Sequence, residues 1–230
     1  DSRLPISEAC GAKVSYGERI AAMIMNGLGF TDSRLYLFPE FLSDKPLDRL
    51  FNRHVQAEWF NDDASGRCLD AISAYGTTKL FTELSITVGQ ARGLLGKSAH
   101  IDTTTLSLYG DYEQPEMFDS TEENKSNIPW PKQGYAKSGR HDLKQMVLLL
   151  ATTGAANFPL WMESHSGNAS DQTTMPEAAV KIRRFCQKLG NAPDFIYVGD
   201  SAIYANILQH SDDMFWITRA PEKIKEVSTL

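Results

Sequence analysis

Along the first hundred residues, apolar side chains recur at three- and four-residue intervals, the spacing of helices that bury one stripe. Ile20, Met23, Ile24 and Leu28 make the first run, which Gly27 and Gly29 are expected to end. A second helical segment is expected over Pro46 to Arg53, after Ser43 and Asp44. A third runs from Asp62 through Leu84 with a break near Gly76, and Asp62 and Asp63 suit its N-terminal cap. Residues 1–97 therefore read as a helical module of several short helices.

At Gly96-Lys97 the pattern changes. Ala99 to Leu108 is rich in β-branched residues and partly alternating, which predicts a strand, and this strand carries an acid, Asp102. Met146 to Ala151 and Phe158 to Glu163 are two more strands, joined through a Gly-containing linker that suits a hairpin. Pro176 to Leu189 reads as a helix with Ala179, Ile182, Phe185, Cys186 and Leu189 on one stripe and Gly190 just past its end. Asp194 to Gly199 is a short buried strand running into Asp200, followed by a brief helix near Ala205 to Gln209 and a last strand at Met214 to Thr218. From residue 98 the order is strand, strand, strand, helix, strand, helix, strand. That order predicts an α+β (or α/β) fold: a mixed sheet with helices, in which a meander is followed by right-handed crossovers.

Composition narrows the function classes. With 230 residues, 42% hydrophobic and 23% charged, the chain has the balance of a globular protein, with core enough for one large domain or two small ones. Its apolar runs, such as Met146 to Ala151, are too short to cross a bilayer of roughly 30 Å, so no membrane partner is expected. Asp1-Ser2-Arg3 lacks a signal peptide's apolar stretch, which makes the expected compartment cytoplasmic. Cys10, Cys68 and Cys186 are too widely spaced for a zinc pattern and are expected to be reduced, mostly buried thiols.

A net charge of −6 argues against coating nucleic acid by bulk electrostatics, but the local distribution is uneven. Six acids and no base lie between Asp111 and Glu123, whereas Lys125 to Lys144 holds five bases and one acid, Asp142. A reversal of this kind marks a solvated loop, and an irregular excursion is expected over Asp111 to Lys137.

Alone, Asp102 or Asp200 reads as a strand-end cap or an ion-paired acid. Together, two strand-borne carboxylates set side by side repel each other and offer oxygen ligands to a divalent cation. Four segments then resemble successive motifs of the DDE transposases of the bacterial insertion-sequence four superfamily. These are Ile101-Asp102-Thr103-Thr104-Thr105, the stretch from Gly134 to Gln145, Gly167-Asn168-Ala169-Ser170-Asp171, and Val198-Gly199-Asp200. Gly27 to Phe30 and the Asn61 to Asp70 region resemble the helical module that precedes the catalytic core in one group of these proteins.

The resemblance implies an RNase H-like catalytic domain over residues 98–230, in which Asp102 and Asp200 are the catalytic acids and hold Mg²⁺ or Mn²⁺. It implies DNA, both element ends and target, as partner, and it allows for a homodimer of the full-length protein. The family's third acid, a Glu in a Tyr-Arg-Glu-Lys-type signature, has no match here. Glu222 and Glu226 follow the last strand too closely, so the third acid is expected beyond Leu230 and these residues alone are expected to be inactive. Lys137, Arg140, His141 and Lys144 are candidates for DNA phosphates, and Trp130 for stacking on a base, whereas Trp161 and Trp216 are expected in the core. Asn168 and Asp171 are candidates to support the acids from behind, with Ser170 or Asp171 capping the helix that follows. The rival reading is a non-catalytic, DNA-binding or regulatory fragment derived from a transposase.

Overall fold

The computed structural model describes residues 1–5, 11–30, 34–113, 128–135, 139–190, 194–207 and 214–221. It divides into two compact units, Asp1–Leu80 and Phe81–Leu230.

The first unit is helical. Helix α1 (Tyr16–Met25) begins in a capping box: the Ser15 hydroxyl accepts the Glu18 amide at 3.2 Å while the Glu18 carboxylate accepts the Ser15 amide at 2.7 Å. Arg53 then grips the same carboxylate through Nε and a terminal nitrogen, each at 2.7 Å. Gly27 and Gly29 do not end the run as expected, because the chain continues through a π-helical turn, Asn26–Phe30. Next come α2 (Phe38–Ser43), α3 (Leu47–Phe51) and α4 (Asp62–Tyr75), with 3₁₀ turns at Leu35–Leu37 and Ala57–Phe60. Helix α3 is shorter than the expected Pro46 to Arg53, since Asn52 turns left-handed at φ 54° and stops it.

The cap of α4 is Asn61, whose side chain accepts the Ala64 amide at 2.9 Å, rather than Asp62 or Asp63. Those two acids sit in the first turn, where the helix dipole still favours them. Gly76, at φ 98°, makes the expected break before α5 (Thr77–Ala91). Phe38, Leu42 and Phe60 are fully buried at the centre of this unit, with the Phe38 and Phe60 rings edge to face.

The second unit is built on a five-stranded mixed sheet, an α+β arrangement as the strand order predicted. The strands are β1 (Ser98–Leu108), β2 (Lys144–Thr153), β3 (Phe158–Ser166), β4 (Ile196–Gly199) and β5 (Trp216–Thr218), arranged β3-β2-β1-β4-β5. β1, β2 and β3 are antiparallel neighbours, while β4 runs parallel to β1 and β5 parallel to β4. A parallel neighbour requires a long connection, and helix α6 (Asp171–Leu189) supplies it between β3 and β4. A short helix, α7 (Tyr204–Ile207), connects β4 with β5. The expected helix near Ala205 to Gln209 thus starts at Tyr204, and residues 208–210 fall outside the described set.

Alternation assigns the two faces of the sheet. Ala99, Ile101 and Thr103 of β1 and Val147, Leu149 and Ala151 of β2 are buried, and Met175, Ala178, Ala179, Ile182 and Cys186 of α6 pack in the same core. His100, Asp102, Thr104 and Leu106 occupy the other, exposed face. Helix α6 starts five residues before the expected Pro176, at Asp171. A proline so near the start removes one hydrogen bond, and the first turn is still held by the Thr173 and Thr174 amides on the Ser170 carbonyl, each at 3.0 Å. Trp161 is 5% exposed and Trp216 packs against the core, as expected of both. Cys68 and Cys186 are buried free thiols, and Cys10 lies outside the described residues. No helix among the described residues is long and apolar enough to cross a membrane.

At the edge of the sheet a polar seam joins β3 to α6. Lys181 Nζ lies 2.6 Å from Glu163 Oε1, and His165 Nε2 is 3.7 Å from Glu163 Oε2. Burial holds the His165 imidazole below its ordinary pKa; Glu163 opposes this, Lys181 adds to it and Glu177 opposes it. A depressed histidine is neutral in the folded state, so the unfolded chain binds the proton first and stability falls as pH drops below the unfolded value. Between about pH 7 and about pH 5, urea midpoints of the wild type should therefore fall more than those of His165→Gln. Parallel pH profiles for the two proteins would contradict this.

Candidate functional site

The parallel register of β1 on β4 pairs Ser98 with Ile196, Ala99 with Tyr197 and His100 with Val198. The paired residues end at His100 and Val198; continued two residues further, that register would bring Asp102 level with Asp200, which lies just past the end of β4. Both acids are exposed. Asp102 lies inside β1, and its Oδ1 accepts the Thr103 amide at 2.8 Å. Asp200 follows β4, where its Oδ1 accepts the Ala202 amide at 2.9 Å and its carbonyl takes the Ile203 amide and the Thr218 hydroxyl. These bonds form a tight turn that stops β4 at the acid.

Behind Asp102, on the opposite face of β1, Thr103 is 6% exposed and its hydroxyl donates to Asp171 Oδ1 at 2.8 Å. The first turn of α6 is thereby tied to the residue next to Asp102. Ser170 is the N-cap of α6 by position, but no side chain makes the expected capping bond, because the Asp171 carboxylate is turned to Thr103. Asn168 is exposed and lines a cleft of about 530 Å³ together with Thr103, Tyr135, Gln145 and Asp171. Asp102 and Asp200 are not among its lining residues.

A clasp of backbone and glutamine closes this cleft. Gln145 is 2% exposed, and its Nε2 donates to the carbonyls of Gly167 at 2.8 Å and Tyr135 at 3.1 Å. Its backbone exchanges two hydrogen bonds with Lys132, at 2.9 and 3.1 Å. Gly134 and Gly167 are glycines for steric reasons: a Cβ on Gly134 would overlap the Gly167 carbonyl, and one on Gly167 would overlap the carbonyls of Gln145 and Lys132. The two motif segments, Gly134 to Gln145 and Gly167 to Asp171, are thus one structural unit. Sequence reasoning assigned no role to Gln145, Thr103 or Tyr135, although all three lie in the motif segments; the bonds of Thr103 to Asp171 and of Gln145 to Gly167 join residues distant in sequence.

The basic candidates are largely engaged within the chain. Arg140 forks onto Asp142 at 2.8 and 2.6 Å; the acid pushes the guanidinium above its ordinary range, and the Asp142 carboxyl is held down at about 2 by Arg140. Lys144 Nζ is bound to the carbonyls of Asp111 and Tyr112, and His141 is exposed. Trp130 is half-buried, with its indole N–H on the Tyr112 carbonyl at 3.1 Å. Lys137 lies outside the described residues, as do Glu222, Glu226 and most of the expected excursion from Asp111 to Lys137. Tyr135, 81% exposed at the mouth of the cleft, is the most open aromatic side chain beside it.

Two carboxylates give a donor set of hard oxygens that suits Mg²⁺ or Mn²⁺, ions that keep several waters. Among the described residues no group of three or more His, Cys, Asp or Glu could hold a metal. Residues 1–86 match the family described as Domain of unknown function (DUF4277). No curated protein matches the chain.

Among solved structures the chain is similar to a Mos1 transposase paired-end complex with left transposon end, at 10% identity and a TM-score of 0.33, covering 91% of this chain and 61% of that one. It is similar to a piggyBac transposase synaptic complex with hairpin DNA, at 12% identity and a TM-score of 0.39, covering 97% and 46%. A Mos1 mariner paired-end complex with Mn is matched at 9% identity and a TM-score of 0.32, covering 95% and 61%. The chain therefore spans less than two thirds of each of these transposase chains.

The clasp predicts opposite outcomes for two glycine substitutions. Gly167→Ala should lower stability by about 1–3 kcal/mol or prevent folding, since backbone carbonyls must move. Gly66→Ala, inside α4 with nothing within 4 Å of the added Cβ, should raise it by about 0.5–1 kcal/mol. Denaturant midpoints measure both, and equal effects would contradict the geometry.

Proposed function

We propose that this chain is part of a DDE transposase of the insertion-sequence four superfamily. In this reading residues 1–97 form its helical module and residues 98–230 the first part of an RNase H-like catalytic domain. The observation that carries the reading is the parallel pairing of β1 with β4, whose register, continued two residues beyond its last pair, would bring Asp102 level with Asp200. The order of the four motifs along the chain and the hydrogen bond from Thr103 to Asp171 support it.

The residues that would hold a divalent cation are Asp102 and Asp200, both exposed, one inside β1 and the other directly after β4. A bound Mg²⁺ or Mn²⁺ would supply activation of water and charge stabilisation for displacement at a DNA phosphorus. Asp171 orients β1 from behind through Thr103, and the turn at Asp200 holds that acid at the mouth of the sheet. Asn168 and Tyr135 border the neighbouring cleft, where a strand of DNA and its bases can be positioned. The substrate is DNA, cut at element ends and joined to a target. The rival reading is a DNA-binding or regulatory fragment without catalysis.

Mn²⁺ titration followed by electron paramagnetic resonance tests the acid pair directly. The wild-type chain should bind one ion weakly, with an affinity on the order of millimolar, and Asp102→Ala and Asp200→Ala should each abolish binding. Asp142→Ala, which removes a carboxylate remote from the pair, should bind as the wild type does. Equal binding by all three variants and the wild type would contradict the assignment. In a nicking assay on DNA carrying element ends, the rival reading predicts DNA binding with no metal-dependent cleavage by any protein containing this chain.

A further inference from the structure

A second basic site lies in the helical unit. Arg19, on α1, is 6% exposed, and among the described residues its Nε has no hydrogen-bond partner. A guanidinium stays charged at every pH at which proteins fold, so unlike a buried lysine or carboxylate it has no neutral form to adopt. Burying such a charge is strongly unfavourable unless an anion or a full set of acceptors compensates it. Among the described residues no carboxylate pairs with it. Its neighbours are the face of the Tyr16 ring, 5.9 Å from the guanidinium carbon, and the buried thiol of Cys68, which is pushed up by burial and drawn down by the arginine.

Arg19 lines a pocket of about 250 Å³. Lys13 and Arg67, both exposed, line it as well, with Tyr16 and Trp59 as aromatic walls and Glu58 as the one acid. Three cations against one carboxylate leave about two positive charges around a space large enough for a small oxyanion and its waters. Asn61 and Ala64, at the start of the fourteen-residue helix α4, complete one side. The amides there are already capped by Asn61, so the helix contributes its dipole rather than free donors.

We propose that this pocket is a phosphate-binding site, with the Arg19 guanidinium as its buried anchor and Lys13 and Arg67 as its rim. Two positive charges suit a phosphate group better than a single carboxylate, and the planar fork of a guanidinium matches its oxygens. The phosphate can come from a DNA backbone or from a free phosphate ion. The site is independent of the acid pair on the sheet and stands whether or not Asp102 and Asp200 hold a metal.

The test uses the whole 230-residue chain with inorganic phosphate replacing chloride at fixed ionic strength. The thermal midpoint of the wild type should rise with phosphate, and that rise should be lost in Arg19→Met and reduced in Arg67→Gln, a surface change that leaves the core intact. Without phosphate, Arg19→Met should be at least as stable as the wild type, because an unpaired buried charge has been removed. A labelled DNA duplex distinguishes the sources. If a backbone phosphate is the occupant, Arg19→Met should weaken duplex binding by on the order of tenfold and lower the salt slope by about one. A phosphate response with unchanged duplex affinity assigns the pocket to free phosphate. No phosphate-dependent difference between wild type and variants, together with equal duplex affinities, would overturn the proposal.

Discussion

The second unit depends on one pairing, the parallel contact between β1 and β4. Antiparallel strands can be joined by a few residues, and Gly154 to Asn157 suffice for β2 and β3. A parallel neighbour has to be reached by a crossover, and this chain uses the nineteen residues of α6, whose apolar stripe covers the buried face of the sheet. The crossover returns β4 to the open edge of β1, so that one acid, Asp102, lies within β1 and the other, Asp200, directly follows β4. Both carboxylates are exposed to water, and in the proposed reading a divalent cation would bind between them.

The support for that arrangement comes from the other side of the sheet. Thr103 alternates with Asp102, so the acid points outward while its neighbour reaches the first turn of α6. Gln145 ties two other segments, one around Lys132 to Tyr135 and one at Gly167, and two glycines allow the backbones to meet. The motifs that flank the acids are thereby explained as scaffolding with a cleft beside it. Arg140 is turned to Asp142 and Lys144 to the carbonyls of Asp111 and Tyr112, so any hold on DNA by either would require these bonds to be exchanged.

Much of this was readable from spacing. Alternation along Ala99 to Leu108 identified β1, the three- and four-residue periods identified α1 and α4, and Gly76 marked the break between α4 and α5. The errors have local causes. Asn61, Asp62 and Asp63 are three consecutive residues that can all cap, and only backbone geometry selects Asn61. Pro176 suggested a helix start because proline favours the first turn, yet α6 tolerates it further in. Asn52 ended α3 early through a left-handed conformation that no periodicity reports. What remained illegible was long-range: the Gln145 clasp, the bond between Thr103 and Asp171, and the burial of Arg19 with no carboxylate partner among the described residues all depend on the fold.

The central claim is that Asp102 and Asp200 act as one site across two strands. The most direct measurement is paramagnetic broadening of backbone amide resonances by substoichiometric Mn²⁺ in the isotopically labelled chain. The amides of Thr103 and Ser201, each next to one of the acids, should broaden first and together, and Asp102→Ala should abolish both effects. Broadening confined to one of the two, or centred on the acidic stretch from Asp111 to Glu123, would contradict the account.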